Sequence, residues 1–384
     1  LVQPRRHHRP AGCARYTLLA GARRMSVETA ALRPGYAISR VIKGGWQLAG
    51  DHGAVDRAAA IRDMDAFVDA GIVTFDCADI YTGVEAMIGD FIAGLRARRG
   101  ASVADRVQVH TKLVPDLGLL ETIRPDDVEA IVDRSLQRLR IDRLHLVQVY
   151  WWDLSLGDPL AGLAALKDCQ AKGKIAHLGV TNWDAADTQP FLDAGYDLIA
   201  TQVQYSLLDR RPAAGLAGWA AARDLHLLCY GTLAGGFLTD RWLDAPDPGF
   251  AFDNRSLVKY RLIIDEFGPW DRFQALLRLL HAIGAKHGVA LSTVATRWVL
   301  DQPQVAAAIV GARYARHLPQ TLEVFRLALD AEDHAAIAAL LAKAPGPQGP
   351  VFGLERDRSG RHGRIMKYNL NTRPDDTVLG AQDG

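Results

Sequence analysis

The string Ile175-Ala176-His177-Leu178-Gly179-Val180-Thr181-Asn182-Trp183-Asp184 changes character in its middle. Its first six residues are a short, mostly apolar run of the kind that forms a buried strand. Thr181-Asn182-Trp183-Asp184 then reads as a helix entry, with polar caps and an acid to follow at Asp187. A helical stretch at 184–194 carries the chain to a second apolar run at 198–203. Strand, helix and strand in that order make a crossover between parallel neighbours.

The same unit recurs outward in both directions. Further apolar runs stand at 39–42, 72–75, 107–111, 144–150, 227–230 and 305–310. Helical stretches are expected at 56–70, 84–97, 126–139, 159–172, 212–224 and 271–301, and after the last run at 315–327 and 331–343. Eight strands alternating with helices imply a parallel sheet, and eight is the count that closes a (β/α)8 TIM barrel. A doubly wound sheet would carry a G-x-G-x-x-G turn after an early strand, and the sequence has none. The expected fold is therefore α/β, a single TIM barrel with a long loop after strand seven and a C-terminal tail.

Three segments follow from this. Residues 25–349 form the barrel domain, interrupted at 231–270 by a loop with Pro246, Pro248, Phe237, Trp242, Phe250 and Phe252. Residues 350–384 form a tail containing Arg356, Arg358, Arg361 and Arg364. Residues 1–24 hold six Arg and no acid, and are expected to lie outside the fold. They read better as sequence ahead of a start at Met25 than as an organelle-targeting peptide.

Composition narrows the function classes. The chain has 384 residues, 49% of them hydrophobic, and 45 Lys and Arg against 44 acids. A dedicated nucleic-acid binder would carry a basic excess. No uncharged apolar run approaches the ~18 residues of a membrane span. Cys13, Cys77, Cys169 and Cys229 stand far apart, which excludes zinc ribbons and a disulfide framework and fits a reducing, cytoplasmic compartment.

In such a barrel, chemistry gathers at the carboxyl ends of the strands. Run two ends at Asp76, with Tyr81 just beyond, and run three ends at Lys112. A phenol is a poor acid at neutral pH. A nearby ammonium favours its ionisation, and a carboxylate paired with that ammonium holds it in place. Taken alone, Asp76 and Lys112 read better as a structural ion pair, since such pairs are common.

More residues join them in order: Gly44-Gly45-Trp46, Phe75-Asp76-Cys77-Ala78-Asp79-Ile80-Tyr81, Thr111-Lys112, Gly179-Val180-Thr181-Asn182-Trp183, Gln202-Val203-Gln204-Tyr205, Tyr230-Gly231-Thr232-Leu233-Ala234-Gly235-Gly236 and Gly311-Ala312-Arg313. Together they resemble the aldo-keto reductase superfamily from about residue 38 to 341. The resemblance implies a nicotinamide cofactor bound across the barrel mouth and a small carbonyl or alcohol substrate. It implies Tyr81 as general acid, tuned by Lys112 and Asp76. Thr181, Asn182 and Gln202 match the positions that hold the carboxamide, and Tyr230 the ring that stacks on the nicotinamide. Gly45 and Trp46 also match cofactor positions. Gly231, Thr232, Leu233 and Gly236 match the pyrophosphate turn. Gly311, Arg313, His317 and Thr321 match the adenosine end. A guanidinium grips a phosphate with paired hydrogen bonds, so Arg313 favours NADP(H) over NAD(H). His317 and Thr321 replace the amide and Asn usual there. No metal is implied.

The sequence departs from the family at the end of strand four, where the usual catalytic His is Tyr150. A Tyr hydroxyl can donate a hydrogen bond but cannot be cationic near neutrality. Two readings follow: a carbonyl reductase with altered selectivity, or a cofactor-binding redox sensor with weak turnover. The intact Asp76, Tyr81 and Lys112 favour the enzyme. His110 lies two residues before Lys112, about 7 Å down the same strand face. It is either a hydrogen-bond partner for the Asp76–Lys112 pair or a satisfied core histidine. Cys77 reads as a small buried filler. Trp46, Trp151 or Trp152, and Trp183 are expected to wall the substrate pocket.

Overall fold

The computed structural model describes residues 26–49, 53–311 and 313–370. The expected basic extension at 1–24 lies outside them. Eight parallel strands close a barrel in chain order, the last pairing with the first. They are β3 (Val41–Gly44), β4 (Thr74–Asp76), β5 (Gln108–Leu113), β6 (Leu144–Val149), β7 (Ile175–Thr181), β8 (Leu198–Gln204), β9 (His226–Tyr230) and β10 (Val305–Gly311). Each expected apolar run overlaps one of these strands. Among the described residues, no helix is long and apolar enough to cross a membrane.

The helix entries form for the expected reason. Asp184 caps the helix Ala185–Asp193, and Asp187 completes a capping box. Where one helix was expected over 271–301, two form, Trp270–His287 and Leu291–Leu300. Gly288, at φ +67°, ends the first of them. The long loop holds a helix that the sequence reading does not separate, Arg255–Phe267.

An antiparallel hairpin, β1 (Thr29–Arg33) and β2 (Tyr36–Ser39), precedes the barrel. It plugs the amino end: Leu32, Tyr36 and Ile38 pack with Ile42, Leu146, Ile199, Leu228 and Ile309 inside the barrel. Arg33 ties the hairpin to Asp197, Asp224 and the Leu198 carbonyl.

The hairpin also decides His110. Its Nε2 lies 2.8 Å from the Tyr36 hydroxyl, and the ring is fully buried. The hydrogen bond to the Asp76–Lys112 pair is therefore replaced by one to the plug. Burial, with His145, Lys112 and His177 nearby, pulls the imidazole down to about 3, so it stays neutral. His110 Nδ1 has no partner. Tyr36→Phe would leave both ring nitrogens unsatisfied, at a cost of about 1–3 kcal/mol. Denaturant unfolding should show that loss with cofactor affinity unchanged.

Candidate active site

The carboxyl ends of β4 and β5 bring Asp76 and Lys112 together. Lys112 Nζ donates to both Asp76 carboxylate oxygens, at 2.9 and 2.7 Å, and to the Cys77 carbonyl at 2.8 Å. These three acceptors match the three protons of an ammonium. Gln202 Nε2 donates to Asp76 Oδ1 at 2.7 Å and to Gln148 Oε1 at 3.1 Å. Both ions are almost wholly buried, Asp76 at 4% and Lys112 at 5% exposed.

Tyr81 lies over this pair. Lys112 Nζ is 5.0 Å from its ring centroid, and the Trp46 ring packs against it at 4.9 Å. The Trp46 indole N–H donates to Ser256 Oγ. Gly45 N–H donates to the Asp76 carbonyl at 2.8 Å, so the β3 end is stitched to the same centre. Burial raises the Tyr81 phenol, Lys112 pulls it down, and Asp76 pushes it up; the net direction is upward. Lys112 thus favours the ionised form, as a nearby ammonium should, but burial outweighs it. Lys112 itself is penalised by burial, but Asp76 and Tyr81 outweigh that and hold it above the ordinary range. Cys77 is fully buried, and burial followed by the Glu85 charge raises its thiol, so it is a filler rather than a reactive group.

The expected carboxamide residues also converge. Asn182, at φ +59°, donates its N–H to the Gln202 carbonyl, and Thr181 Oγ1 donates to the same oxygen at 3.1 Å. Tyr230 Oη donates to Asn182 Oδ1 at 2.7 Å. After β9 the turn through Gly231, Thr232, Leu233 and Gly236 passes beneath Tyr260 of the helix Arg255–Phe267. A Cβ at Gly231 or Gly235 would come within 2.5 Å of Tyr260 atoms, and both glycines have positive φ. Only glycine fits such a turn. The set fits a nicotinamide nucleotide by its chemistry. Amide side chains suit a carboxamide, and a glycine-rich turn suits a pyrophosphate.

The residues expected at the adenosine end are exposed or half-buried. Arg313 donates to the Gly53 carbonyl at 3.4 Å and to that of Ala54. Gly311 ends β10 facing the Gln47 side chain. His317 Nε2 accepts from Arg316, and Thr321 Oγ1 donates to the His317 carbonyl at 3.0 Å.

Two expected pocket walls are elsewhere. Trp151 and Trp183 are both 0% exposed. Trp151 faces the helices, against Gly162, with its N–H on the Leu156 carbonyl. Trp183 packs on Phe191 at 4.8 Å. Trp152 is the one that lines a cavity of about 260 Å³, together with Arg356, Arg358 and Tyr368. Tyr150 sits at the β6 end, 3% exposed, edge-on to Trp152 and Phe352. Its hydroxyl lies beside the Arg356 guanidinium. Burial raises the phenol, and the Arg356 guanidinium opposes that rise.

The tail is part of the site, which the sequence leaves open. Arg356 Nη2 donates to the Asn182 carbonyl at 2.7 Å, and Nη1 pairs with Asp187 at 2.5 Å. Glu355 is buried against Arg211 and Lys259. Of these four, only Arg356 belongs to a pattern visible in sequence, the run of tail arginines.

The comparisons with known proteins bear on this arrangement. The model of the aldo/keto reductase family matches residues 40–342. Aldo-keto reductase YhdN of Bacillus subtilis is 27% identical over 333 residues, covering 83% of this chain and 95% of that protein. The NADH-specific methylglyoxal reductase of Escherichia coli is 24% identical, over 77% of this chain and 92% of that protein. The solved glycerol dehydrogenase AKR11B4 of Gluconobacter oxydans superposes with a TM-score of 0.66 at 25% identity, covering 85% of this chain and 98% of its own. The chain belongs to the aldo/keto reductase family and is an NAD(P)-dependent oxidoreductase, of a family that acts on small carbonyl compounds.

Proposed function

We propose that the protein reduces an aldehyde or ketone, or oxidises the matching alcohol, with Tyr81 as the proton donor and acceptor and NADP(H) as the preferred cofactor. The observation that carries this is the buried Asp76–Lys112 pair beneath Tyr81, at the same end of the barrel as the Asn182–Tyr230 hydrogen bond. The bound nucleotide supplies a hydride. Thr181, Asn182 and Gln202 orient its carboxamide, Tyr230 backs its ring, and Gly45, Trp46 and the 231–236 turn flank its length.

The chain's own work is proton handling. The raised Tyr81 phenol is protonated at neutral pH and can donate to a carbonyl oxygen. Lys112, held charged by Asp76, limits the cost of the phenolate left behind. Steady-state oxidation of NADPH against a panel of aldehydes tests the assignment. Turnover above background supports it; nucleotide binding with no turnover of any carbonyl overturns it. That second result would favour the sensor reading, which draws on Tyr150, whose hydroxyl is enclosed beside Arg356 rather than offered as a histidine would be.

NADP(H) preference rests on Arg313, with crystal structures of Klebsiella pneumoniae aldo-keto reductases bound to NADP and NADPH as context. The NADH-specific relative shows that both choices occur among similar chains. Arg313→Ala should weaken NADPH binding about tenfold and leave NADH nearly unchanged, as expected for loss of one charge-assisted phosphate contact. Fluorescence titration with both nucleotides checks it; equal loss for both would exclude a phosphate contact. Residues 25–349 form the barrel domain in this reading. Cys77, Cys169 and Cys229 are buried free thiols, which supports a reducing, cytoplasmic setting.

A further inference from the structure

Four charged side chains lie buried beside Tyr230 and take no part in the proton handling above. Arg211 is held by Asp209, at 2.9 and 2.7 Å, and by Glu355, at 3.1 and 3.2 Å. Lys259 Nζ is 3.8 Å from Glu355 Oε1. The side chains of Asp209 and Glu355 are 0% exposed, that of Arg211 2%, and that of Lys259 14%. The Lys259 ammonium sits among three aromatic rings: Phe352 at 4.9 Å, Tyr230 at 5.2 Å and Tyr260 at 5.7 Å. Two cations and two anions balance.

The four come from separate places. Asp209 and Arg211 follow β8, and Lys259 belongs to the helix in the long loop. Glu355 belongs to the C-terminal segment, beyond the residues that match the family. Burial pushes the Glu355 carboxyl up, but Lys259 and Arg211 outweigh it and hold it below the ordinary range.

We propose that this cluster sets which redox form of the nicotinamide the protein holds more tightly, with Lys259 and Glu355 as opposing determinants. The proposal rests on the placement of the nicotinamide at Tyr230 given above. The oxidised ring carries a positive charge and the reduced ring does not. A fixed charge next to the platform therefore acts on the difference between the two forms. Balanced, the cluster adds little bias. Neutralising Lys259 leaves an uncompensated negative charge, which favours the oxidised ring. Neutralising Glu355 leaves a positive one, which disfavours it. Burial keeps salt from screening either effect. A packing defect would weaken both forms alike and could not shift their ratio in opposite directions.

The test measures dissociation constants of NADP+ and NADPH by quenching of tryptophan fluorescence, with the full chain at neutral pH. Relative to the unaltered protein, Lys259→Met should lower the ratio Kd(NADP+)/Kd(NADPH) about tenfold, and Glu355→Gln should raise it about tenfold. Ratios within twofold of the starting value, or shifts of the same sign in both variants, overturn the proposal. If Glu355→Gln fails to fold, Lys259→Met decides: an unchanged or raised ratio overturns it. Failure of the unaltered protein to bind either nucleotide would instead sink the nicotinamide reading, and this inference with it. Normal binding with unmoved ratios sinks the inference alone.

Discussion

Tyr81→Phe is expected to lower kcat for carbonyl reduction by about 10²–10⁴-fold, the usual worth of a positioned general acid, while NADPH affinity stays within about twofold. Only the hydroxyl is removed. The ring keeps its contact with Trp46 and its place over Lys112. The pH profile makes the assignment sharper. The phenol is raised above its ordinary 10.0, burial acting first, against the pull of Lys112. An acid with a raised value is in its donating form throughout neutral pH. Reduction should therefore hold a plateau there and fall only as pH climbs through the phenol's own range. Oxidation of the alcohol needs the other form and should rise with pH over the same window. Steady-state kinetics in both directions checks this. A variant with unchanged kcat would remove Tyr81 from the chemistry; a reduction limb falling near neutrality would place the proton on another group.

The strands were legible because each is a run buried on both faces, and no other element competes for so short an apolar string. Their ends were legible for the same reason: a buried strand that stops at Asp76 or Lys112 puts a charge at the barrel mouth. The two tryptophans after Tyr150 show where this runs out. Trp151 turns into the helices while Trp152 lines the cavity with Arg356 and Tyr368, although the strand itself ends at Val149. What was missing was which residue still counted as strand. Lys259 and Glu355 gave no such signal. They are 96 residues apart in sequence, and a buried ion pair of that kind depends on tertiary packing that no local period reports. The tail was equally opaque. Its 345–353 stretch reads as a Pro- and Gly-rich loop, yet it delivers Phe352 to Tyr150 and Glu355 to Arg211. The plug is half visible: Tyr36-Ala37-Ile38-Ser39-Arg40-Val41 is strand-like, but Tyr36 reaching down to His110 belongs to the closed barrel.

Lys112→Met is expected to remove activity and about 3–5 kcal/mol of stability together, because it leaves the Asp76 carboxylate buried without its cation. What remains around Asp76 is Gln202 at 2.7 Å and Gln148 at 3.5 Å, dipoles in place of a charge. Denaturant unfolding at neutral pH reads the stability loss directly. The double variant Asp76→Asn with Lys112→Met separates structure from chemistry. Neutral partners remove the buried charge, so stability should recover while turnover does not. Recovery of turnover along with stability would mean that the pair only holds the barrel together and that Tyr81 works without the ammonium beneath it.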